Sequence, residues 1–572
     1  MNSKLERLQR RCAEGRSLLW ELVDIVDLQG DAKLKCKACK KVLSSVNPAQ
    51  TFKQHFPGGK CMMLKNKRKA SDDGSTINAF MASSKQTSQA IRYVCRFIFK
   101  NNVAFKLIED DELRKAFNVF GVDLPSRKAL SERYLPAEHA IVVRNVEKCL
   151  EQAKSFGISS DGWRSKFCGE GQPLTNYCAL LPGGGSVFMK VTWGAEHNLF
   201  DEHDAIIAQY GRKVIGVVCD NAASNVKMQR KLEEKYRWII CVGCAAHALN
   251  LFLKDIDDIR KGAKKMRGIL HDADRIGTML RNDREVRALL AERSSKTHVS
   301  SYCETRFGTW SWILKDVLML KNDLQGVVLD DRFGVEKHGE LKNLIIGGGK
   351  FWNMLEHTHE FFSHVVGILQ SLEVDSGLLS HVPEAYRKIA EHVEKLPEEL
   401  KSEIEPLLEA RRAKHVRPCH KAAHALDPAF AIRSTSGEWM LNVGDMEERQ
   451  EIVAYLEKFV DSEELVKLHC EWGEICVDGL PGAVHDLVEH IMRERKGGSG
   501  AMLWMHHLHS KYPMLARCAH PLLTLHATSA SSERNWSTWT NVFTAKRNRL
   551  SLDNGESLVF VRQNMKVNTS EK

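Results

Sequence analysis

The stretch KVIGVVCDNAASNVKMQRKLEEKYRWIICVGCAAHALNLFLKD, residues 213–255, decides how this chain folds. It opens with a continuous apolar run, residues 214–219, and such a run predicts a strand that is buried on both faces. A second apolar run, residues 238–242, predicts the next strand. A charged segment of helical pattern separates the two runs, so this part of the chain is expected to form an α/β unit.

Asp220 comes directly after the first of these strands. Open α/β sheets bind their ligands at the carboxyl ends of the strands, so an acid at this position could belong to a site. The alternative is a helix cap, because Asn221 and Ser224 can start the helix that follows, and an isolated Asp favours the cap. Cys244 and His247 lie three residues apart at the start of the next helix and therefore share one of its faces.

The length of 572 residues fits several domains, and 43% hydrophobic and 27% charged residues are ordinary for a globular protein. The net charge of +10 comes from the N-terminus. Residues 1–70 contain 16 Lys and Arg against 6 Asp and Glu, whereas the remainder contains 67 of each. This distribution predicts a head that binds a polyanion, with a solvated basic tail as the alternative.

The first residues, MNSKLERLQRRC, lack the apolar core of a signal peptide. The sequence also lacks a run of about 18 apolar residues that could span a bilayer, so we expect no membrane partner. Sixteen Cys without a secretory signal indicate reduced thiols and a metal site rather than a disulfide framework.

Residues 34–61, LKCKACKKVLSSVNPAQTFKQHFPGGKC, combine a C-x2-C pair with a later His and a later Cys. Tetrahedral zinc needs four N or S ligands. The predicted zinc ligands are Cys36, Cys39, His55 and Cys61. Lysines crowd the same segment and suit contacts with phosphate. The predicted DNA contacts are Lys37, Lys40, Lys41 and Lys53. The segment resembles a BED-type zinc finger, a DNA-binding module; a chance pair of core cysteines is the alternative.

The finger and its basic tail are assigned to residues 1–69. The run KNKRK, residues 65–69, is either a nuclear import signal, an extension of the DNA contact or a solvated tail. Residues 70–88 are rich in Ser and small residues, which is typical of a linker. Residues 89–152 carry apolar side chains at helical spacing and are predicted to form a helical domain.

From residue 153 the pattern becomes strand-like. FGISSDGW predicts a strand that ends at Asp161, and a hairpin follows with strands at residues 177–181 and 187–193. Three antiparallel strands followed by parallel strands with helical crossovers are the order of an RNase H-like fold, in which the first and fourth strands are neighbours. Asp161 and Asp220 end those two strands, so their carboxylates could meet.

The predicted fold class is therefore multidomain α+β. It comprises a zinc finger, a helical linker domain and an RNase H-like α/β catalytic core whose first part is residues 153–256. Residues 257–500 are mostly of helical pattern and too long for a connection, so we expect an all-α insertion domain. Residues 501–572 should complete the core.

Paired carboxylates in such a core can hold two Mg²⁺ ions, one activating the attacking oxygen and the other stabilising the leaving oxygen. Asp161 and Asp220 need a third acid from a later helix. Glu533, in the segment SSERNWS, supplies it in the first turn of a helix that Ser531 or Ser532 could cap. The alternative is an acid that only complements the helix dipole.

Arg306 and Phe307 stand out within the predicted insertion. An Arg beside an aromatic ring could contact a phosphate and stack on a base. The alternative, a core helix with one exposed Arg, is favoured by the residues alone.

Taken together, the chain resembles a transposase of the hAT superfamily over nearly its whole length. The motifs that carry the resemblance are SSDGW (159–163), VVCDNAASN (217–225), CAAHALNL (244–251), TRFGTW (305–310), SSERNWS (531–537) and KRNRLS (546–551).

The resemblance implies cut-and-paste DNA transposition with Mg²⁺ or Mn²⁺, double-stranded DNA as partner and a location in the nucleus. It assigns Asp161, Asp220 and Glu533 as the catalytic acids and places His247 near them. Arg306 would handle the DNA end, although Phe307 stands where many members have Trp, which weakens the expected stacking. The C-terminal segment resembles the family's dimerisation region, so we expect a homo-oligomer.

Two other functions remain open from the sequence. The chain could be a domesticated transposase-derived protein that regulates through DNA binding without transposition. It could also be a zinc-finger scaffold whose sheet only packs, in which case the three carboxylates should lie far apart.

Overall fold

The computed structural model describes residues 6, 8–9, 20, 22–28, 31–56, 61, 84–164, 171–194, 198–303, 308–347, 349–374, 377–494, 499–544 and 550–567. The chain divides into two units. The first contains Met1–Arg92 and Glu109–Leu124, and the second contains Tyr93–Ile108 and Pro125–Lys572. Strands, and helices of at least eight residues, are numbered below in chain order.

The first unit contains a small antiparallel sheet in the order β1-β2-β3. Its elements are β1 Val23–Leu28, β2 Asp31–Cys36, β3 Val42–Leu43 and α1 Pro48–His55. Side chains of β2 alternate between half-buried and buried, so one face of the sheet packs against α1. Asn47 caps α1 by accepting the Gln50 N–H at 3.3 Å, and Pro48 occupies the first helical turn, where it leaves no helical hydrogen bond unmade.

Three helices follow the small sheet in the chain: α2 Ser84–Lys100, α3 Asp111–Asn118 and α4 Leu135–Gln152. Asp110 starts α3 by accepting the backbone N–H groups of Glu112 and Leu113. These helices agree with the helical pattern predicted for residues 89–152.

The second unit is built on a five-stranded sheet in the order β6-β5-β4-β7-β8. Its strands are β4 Phe156–Trp163, β5 Leu174–Leu180, β6 Ser186–Trp193, β7 Val214–Cys219 and β8 Ile240–Gly243. The first three strands pair antiparallel, and β7 and β8 join in parallel. The predicted neighbourhood of the first and fourth strands is therefore present. Several boundaries differ: β4 continues past Asp161 to Trp163, β5 spans Leu174–Leu180 rather than residues 177–181, and β8 spans Ile240–Gly243 rather than residues 238–242.

Helices connect the strands of the sheet and make up most of the long segment that follows it in the chain. They are α5 Leu199–Tyr210, α6 Ala223–Lys235, α7 Ala245–Asp257, α8 Lys264–Asn282, α9 Arg284–Ala291, α10 Thr309–Met319, α11 Lys321–Leu329, α12 Val335–Gly347, α13 Gly349–Glu373, α14 His381–Val393, α15 Glu398–His415, α16 Pro418–Leu426, α17 Met446–Leu456, α18 Leu465–Asp478, α19 His485–Glu494, α20 Pro513–Thr524, α21 Ala530–Val542 and α22 Leu552–Asn564.

The segment predicted to be an all-α insertion is helical with one departure. A two-stranded hairpin interrupts it, with β9 Ile432–Arg433 paired to β10 Trp439–Met440. The buried apolar side chains of this segment are continuous with those of the sheet: Val218 and Val242 belong to the same core as Trp352 in α13. The segment therefore shares its hydrophobic core with the sheet.

Side chains from this helical segment cover the outer edge of β8. An edge strand exposes backbone groups that would otherwise pair with another chain. Here the carbonyls of residues 239, 241 and 243 each accept a side-chain N–H, and the Cys241 N–H donates to Glu233 at 3.2 Å. The donors are Lys458, Arg417 and His415, respectively. The sheet thus ends at β8.

Two glycines allow a side chain to lie directly on the sheet. A Cβ at Gly157 would meet Leu525 Cδ1 at 2.5 Å, and a Cβ at Gly216 would meet Leu525 Cδ2 at 2.4 Å and the Ile240 carbonyl at 2.5 Å. Leu525 is fully buried. The absence of side chains at these two positions brings the segment before α21 close to β4 and β7.

We expect Gly216→Val to lower the stability of the second unit by about 3 kcal/mol, because an overpacked core costs 1–3 kcal/mol and here a backbone oxygen blocks relaxation. The measurement is the urea midpoint followed by tryptophan fluorescence. Gly268→Ala in α8 is the matched control, since a Cβ there meets nothing within 4 Å and a helical Gly→Ala change is stabilising. Equal midpoints for Gly216→Val and wild type would contradict the close packing.

Among the residues that the structure describes, no helix combines the length and apolar character needed to cross a bilayer.

Candidate active site and metal centre

The three acids singled out in the sequence come from separate elements of the second unit. Asp161 lies near the end of β4, Asp220 follows β7, and Glu533 lies in the first turn of α21; all three are half-buried. Because β4 and β7 are parallel neighbours, their carboxyl ends meet at one edge of the sheet. The packing of α21 then determines whether Glu533 joins them.

Hydrogen bonds fix the start of α21 against the sheet. The Ser532 and Ser159 hydroxyls are 2.7 Å apart, and Asn176 Nδ2 donates to the Ser532 carbonyl at 2.8 Å. Neither Ser531 nor Ser532 is the helix cap, contrary to the prediction, because α21 begins one turn earlier and Ser529 occupies the N-cap position. Ser532 is instead turned into the sheet, and the charges of Asp161 and Asp220 act on the carboxylate of the next residue, Glu533.

Asp220 is hydrogen-bonded within the turn after β7. Its Oδ1 accepts the Ala222 N–H at 2.8 Å and Asn225 Nδ2 at 2.6 Å. The helix-cap interpretation does not describe this residue, because Ala222 is the N-cap of α6. The second carboxylate oxygen, Oδ2, has no hydrogen bond among the described residues.

Asp161 is held by Trp536 of α21. Trp536 Nε1 donates to Asp161 Oδ2 at 2.9 Å, and the Trp536 ring stacks on Trp163 with centroids 5.2 Å apart. Trp536 is one turn after Glu533 on α21. Its indole N–H, together with the stacked ring, fixes the orientation of the Asp161 carboxylate.

The charges of the three acids act on one another. Burial, and then the charges of Asp161, Glu373 and Asp220, raise the pKa of Glu533 to about 7, against a weak hydrogen bond from Ser529. Burial raises the pKa of Asp161 to about 6, with the Asp220 charge adding to it and the Trp536 hydrogen bond opposing it. The three carboxylates therefore form one electrostatic cluster.

Glu373 was missed by the sequence analysis. It is the last residue of α13, burial raises its pKa, and its charge acts on Glu533. No local pattern singles out a Glu at the end of a long helix, so only the packing of α13 against the sheet brings it to the cluster.

Cys244 and His247 lie beside the acids. Cys244 is the N-cap of α7, and its Sγ accepts the Ser529 N–H at 3.4 Å, which ties α7 to the start of α21. Burial, and then the Glu533 charge, raise the pKa of Cys244 to about 12, so the thiol is neutral. Burial lowers the pKa of His247 although the Asp220 charge raises it.

The acid cluster suits a divalent cation by donor type. Carboxylate oxygens are the ligands that Mg²⁺ and Mn²⁺ prefer, and half-buried carboxylates that repel one another are relieved by a positive ion. They are not drawn together as tightly as the finger ligands, because among the described residues the group close enough for three or more side chains to share an ion is the Cys/His cluster. Asp161, Asp220 and Glu533 fit a metal in chemistry, and each already accepts at least one hydrogen bond from protein.

Cys36, Cys39, His55 and Cys61 converge in the first unit, and their ligand atoms lie within 4.8 Å of one another. His55 Nε2 is 3.4 Å from Cys39 Sγ and 3.2 Å from Cys61 Sγ. Burial and then the Lys41 charge lower the pKa of His55, which favours the neutral imidazole that a metal requires. Three thiols and one imidazole form a set that could bind zinc.

The geometry of the C-x2-C turn follows from its backbone. Lys40 adopts φ 58°, the Lys40 N–H donates to the Cys36 carbonyl at 2.9 Å, and the Cys36 N–H donates to the Lys41 carbonyl at 3.0 Å. The tight turn brings the two thiols to one side. The four lysines predicted to contact DNA are all exposed: Lys37, Lys40, Lys41 and Lys53. Arg306 and Phe307 lie outside the described residues.

Two family models match the parts of the chain that contribute the three acids. Residues 125–276, which include β4 to β8, match the model of a domain of unknown function, DUF659, and residues 485–565, which include α21, match the hAT family C-terminal dimerisation region. No curated protein matches the chain. The two family matches support a transposase-like protein of the hAT superfamily.

We expect the protein without added divalent metal to lose stability as pH rises from about 4.5 to 7. In this window the folded state retains a proton on Glu533, with its pKa near 7, whereas an unfolded Glu has released it, so rising pH favours unfolding. Glu533→Gln should reduce this slope, leaving the part that Asp161 contributes below about pH 6, and should stabilise the protein by on the order of 2 kcal/mol at pH 8. Thermal unfolding at a series of pH values is the measurement.

The exposed Glu405 of α15 provides the control, since Glu405→Gln should leave the pH profile of wild type unchanged. Identical profiles for Glu533→Gln and wild type would show that Glu533 is not part of a repelling cluster.

Proposed function

We propose that this chain is a DNA-binding, transposase-like enzyme that cleaves and transfers DNA strands with divalent metal at Asp161, Asp220 and Glu533. The strand order β6-β5-β4-β7-β8, with three antiparallel strands and two parallel ones, supports an RNase H-like core. On this proposal, residues 153–256 and 501–572 form the core, and residues 257–500 interrupt it.

One observation carries the proposal. Acids from three elements that are distant in sequence act on each other's charges at the carboxyl edge of the sheet, and burial together with these charges raises the pKa of Glu533 to about 7. Keeping half-buried like charges together costs free energy, and a protein gains nothing structural from this arrangement. A site for a cation accounts for the arrangement, and functional sites are where such clusters are found.

The carboxylate oxygens of the three acids would hold Mg²⁺ or Mn²⁺, which supplies an activated oxygen nucleophile and stabilises the leaving oxygen. Trp536 holds Asp161 through its indole N–H, and Asn225 and the Ala222 N–H hold Asp220 through Oδ1, leaving Oδ2 for a ligand. His247, kept neutral by burial, lies close enough to feel the Asp220 charge and could accept a proton beside the site.

The Cys36–Cys39–His55–Cys61 cluster supports a BED-type finger with structural zinc in residues 1–69. Exposed lysines on and after its turn, Lys40 and Lys41 among them, would contact the phosphates of double-stranded DNA. Arg306 and Phe307 are proposed to handle the DNA end. The match to a dimerisation region supports a homo-oligomer, and DNA as substrate supports a nuclear location.

The test is a cleavage assay with the full chain. Supercoiled plasmid carrying the ends of the parent element should be nicked with Mg²⁺ or Mn²⁺ and remain intact with Ca²⁺, which binds carboxylates but rarely supports this chemistry. Mn²⁺ binding, followed by the proton relaxation of water, should show ions at the acid cluster independently of cleavage. No cleavage and no Mn²⁺ binding would reject the enzyme.

A domesticated DNA-binding regulator is the second candidate, and one observation favours it. Asp161 Oδ2 and Asp220 Oδ1 each accept protein donors, so the cluster can exist without a bound ion. A regulator should bind DNA through its finger and neither bind Mn²⁺ at the acids nor nick DNA. The gene of a mobile element lies between terminal inverted repeats, and their absence would also favour the regulator.

A further inference from the structure

A second concave site lies at the other end of β4 from the acids. It is a cleft of about 950 Å³ formed by the end of α4, the turn between β5 and β6, residues 499–506 and α20. Ser155, directly before β4, lies in its wall, whereas Asp161 is near the far end of that strand. We call this the basal cleft, and it is separate from the proposed catalytic site.

The charged side chains that line the basal cleft are cationic. Lys148, Lys154 and His506 line it, and the described lining residues include no Asp or Glu. Both lysines are exposed, and neither forms a salt bridge within the described part of the chain. Glu147 and Glu151 flank Lys148 on α4 but are not among the residues that line the cleft. A cleft with unpaired cations and no acid attracts an anion.

A polar pair fixes the floor of the cleft. Ser155 Oγ is 2.9 Å from His520 Nε2, and the other ring nitrogen, Nδ1, is buried and has no hydrogen-bond partner among the described residues. A buried polar atom without a partner costs free energy unless a ligand or water satisfies it. His520 therefore carries an unsatisfied ring nitrogen in the wall of the cleft, next to the positive charge of Lys154, which acts on its ring.

The shape and the remaining lining indicate the size of the ligand. Small-molecule sites in proteins measure about 300–1,000 Å³ and combine apolar walls with a few polar groups. Leu181, Pro182 and Met502 provide the apolar wall here, and Met502 is 57% exposed. A flat apolar ring could lie on that wall while a negative group faces the lysines.

We propose that the basal cleft binds a nucleotide, with its phosphates on Lys148 and Lys154, its base on the Leu181–Met502 side and a polar group at His520. The nucleotide could be free in solution or be part of a DNA strand, since both present the same phosphate and base. The site is independent of cleavage at Asp161, so it can be present whether or not the chain is an active enzyme.

The experiment is calorimetric titration of the full chain with ATP, GTP and inorganic tripolyphosphate, followed by competition with a short single-stranded oligonucleotide. We expect a nucleotide to bind, and the double variant Lys148→Gln/Lys154→Gln to weaken binding at least tenfold, because charge-assisted hydrogen bonds to phosphate are lost. Adding His520→Gln to this double variant should weaken nucleotide binding further. The control is Lys414→Gln on α15, an exposed lysine away from the cleft.

Displacement of the nucleotide by the oligonucleotide, with the same sensitivity to the two lysines, would assign the cleft to a strand of DNA. If a nucleotide binds but the oligonucleotide does not displace it, the cleft is assigned to a free nucleotide. The proposal is overturned if the double variant and the wild type bind the nucleotides and the oligonucleotide with equal affinity. Chemical denaturation of each variant separates loss of binding from loss of fold.

Discussion

Asp161→Asn is expected to lower metal-dependent DNA nicking about 10³-fold or more. Metal-held carboxylates contribute several kcal/mol to the transition state, and each ~1.4 kcal/mol is a factor of ten in rate. The variant keeps an oxygen that can accept the Trp536 N–H, which is 2.9 Å from Oδ2 in the wild type. The fold should therefore persist, so the loss reports the missing charge.

Asp220→Asn and Glu533→Gln should cause losses of similar size, and a double variant should be little worse than either single one, since residues that act as a unit are not additive. Asp204→Asn is the matched control, because Asp204 pairs with Lys235 on the surface at 2.6 Å. Full nicking by Asp161→Asn with normal Mn²⁺ binding would end the catalytic assignment and leave the regulator as the better description.

Removal of zinc is expected to unfold the finger and weaken specific DNA binding by about 10³-fold or more. Its described core consists of nine buried residues, which is too small to fold without additional support. Structural zinc contributes on the order of 10 kcal/mol in such sites, and without it the finger lysines lose their arrangement. Specific binding typically exceeds non-specific binding by at least 10³.

The measurements are zinc content by mass spectrometry, expected at one ion per chain, and DNA binding at fixed salt before and after treatment with a chelator. Cys39→Ser should reproduce the effect of the chelator, whereas Cys470→Ser, at an exposed cysteine of α18, should not. The second unit should keep its unfolding midpoint in both variants. Unchanged DNA binding by the zinc-free protein would place the DNA contacts elsewhere.

Several features were predictable from local sequence. The run 214–219 is a buried strand because it is uniformly apolar, and all six of its residues are buried. The C-x2-C pair and the later His and Cys converge because a tight turn and one helix suffice to bring them together. The segment around Glu533 is helical as its pattern indicated, although its cap is Ser529. These features depend on periodicity and short-range turns, which the sequence encodes directly.

The position of each cap and the partners of each acid were not predictable in the same way. The Ser532 hydroxyl bonds to Ser159 rather than capping its own helix, and the indole N–H of Trp536 donates to Asp161. Glu373 reaches the cluster from the end of α13. Each of these depends on how a distant element packs, and a side chain carries no local mark of the partner that it meets.

By itself, the sequence determined the strands, the helices, the metal-ligand spacing of the finger and the types of side chain at the strand ends. Only the tertiary structure decided that Asp161, Asp220 and Glu533 share one electrostatic neighbourhood and that side chains from the long helical segment cover the edge of β8. The physical reason is range: secondary structure follows from interactions within a few residues, whereas a carboxylate's pKa follows from whatever charge and burial the whole fold places around it.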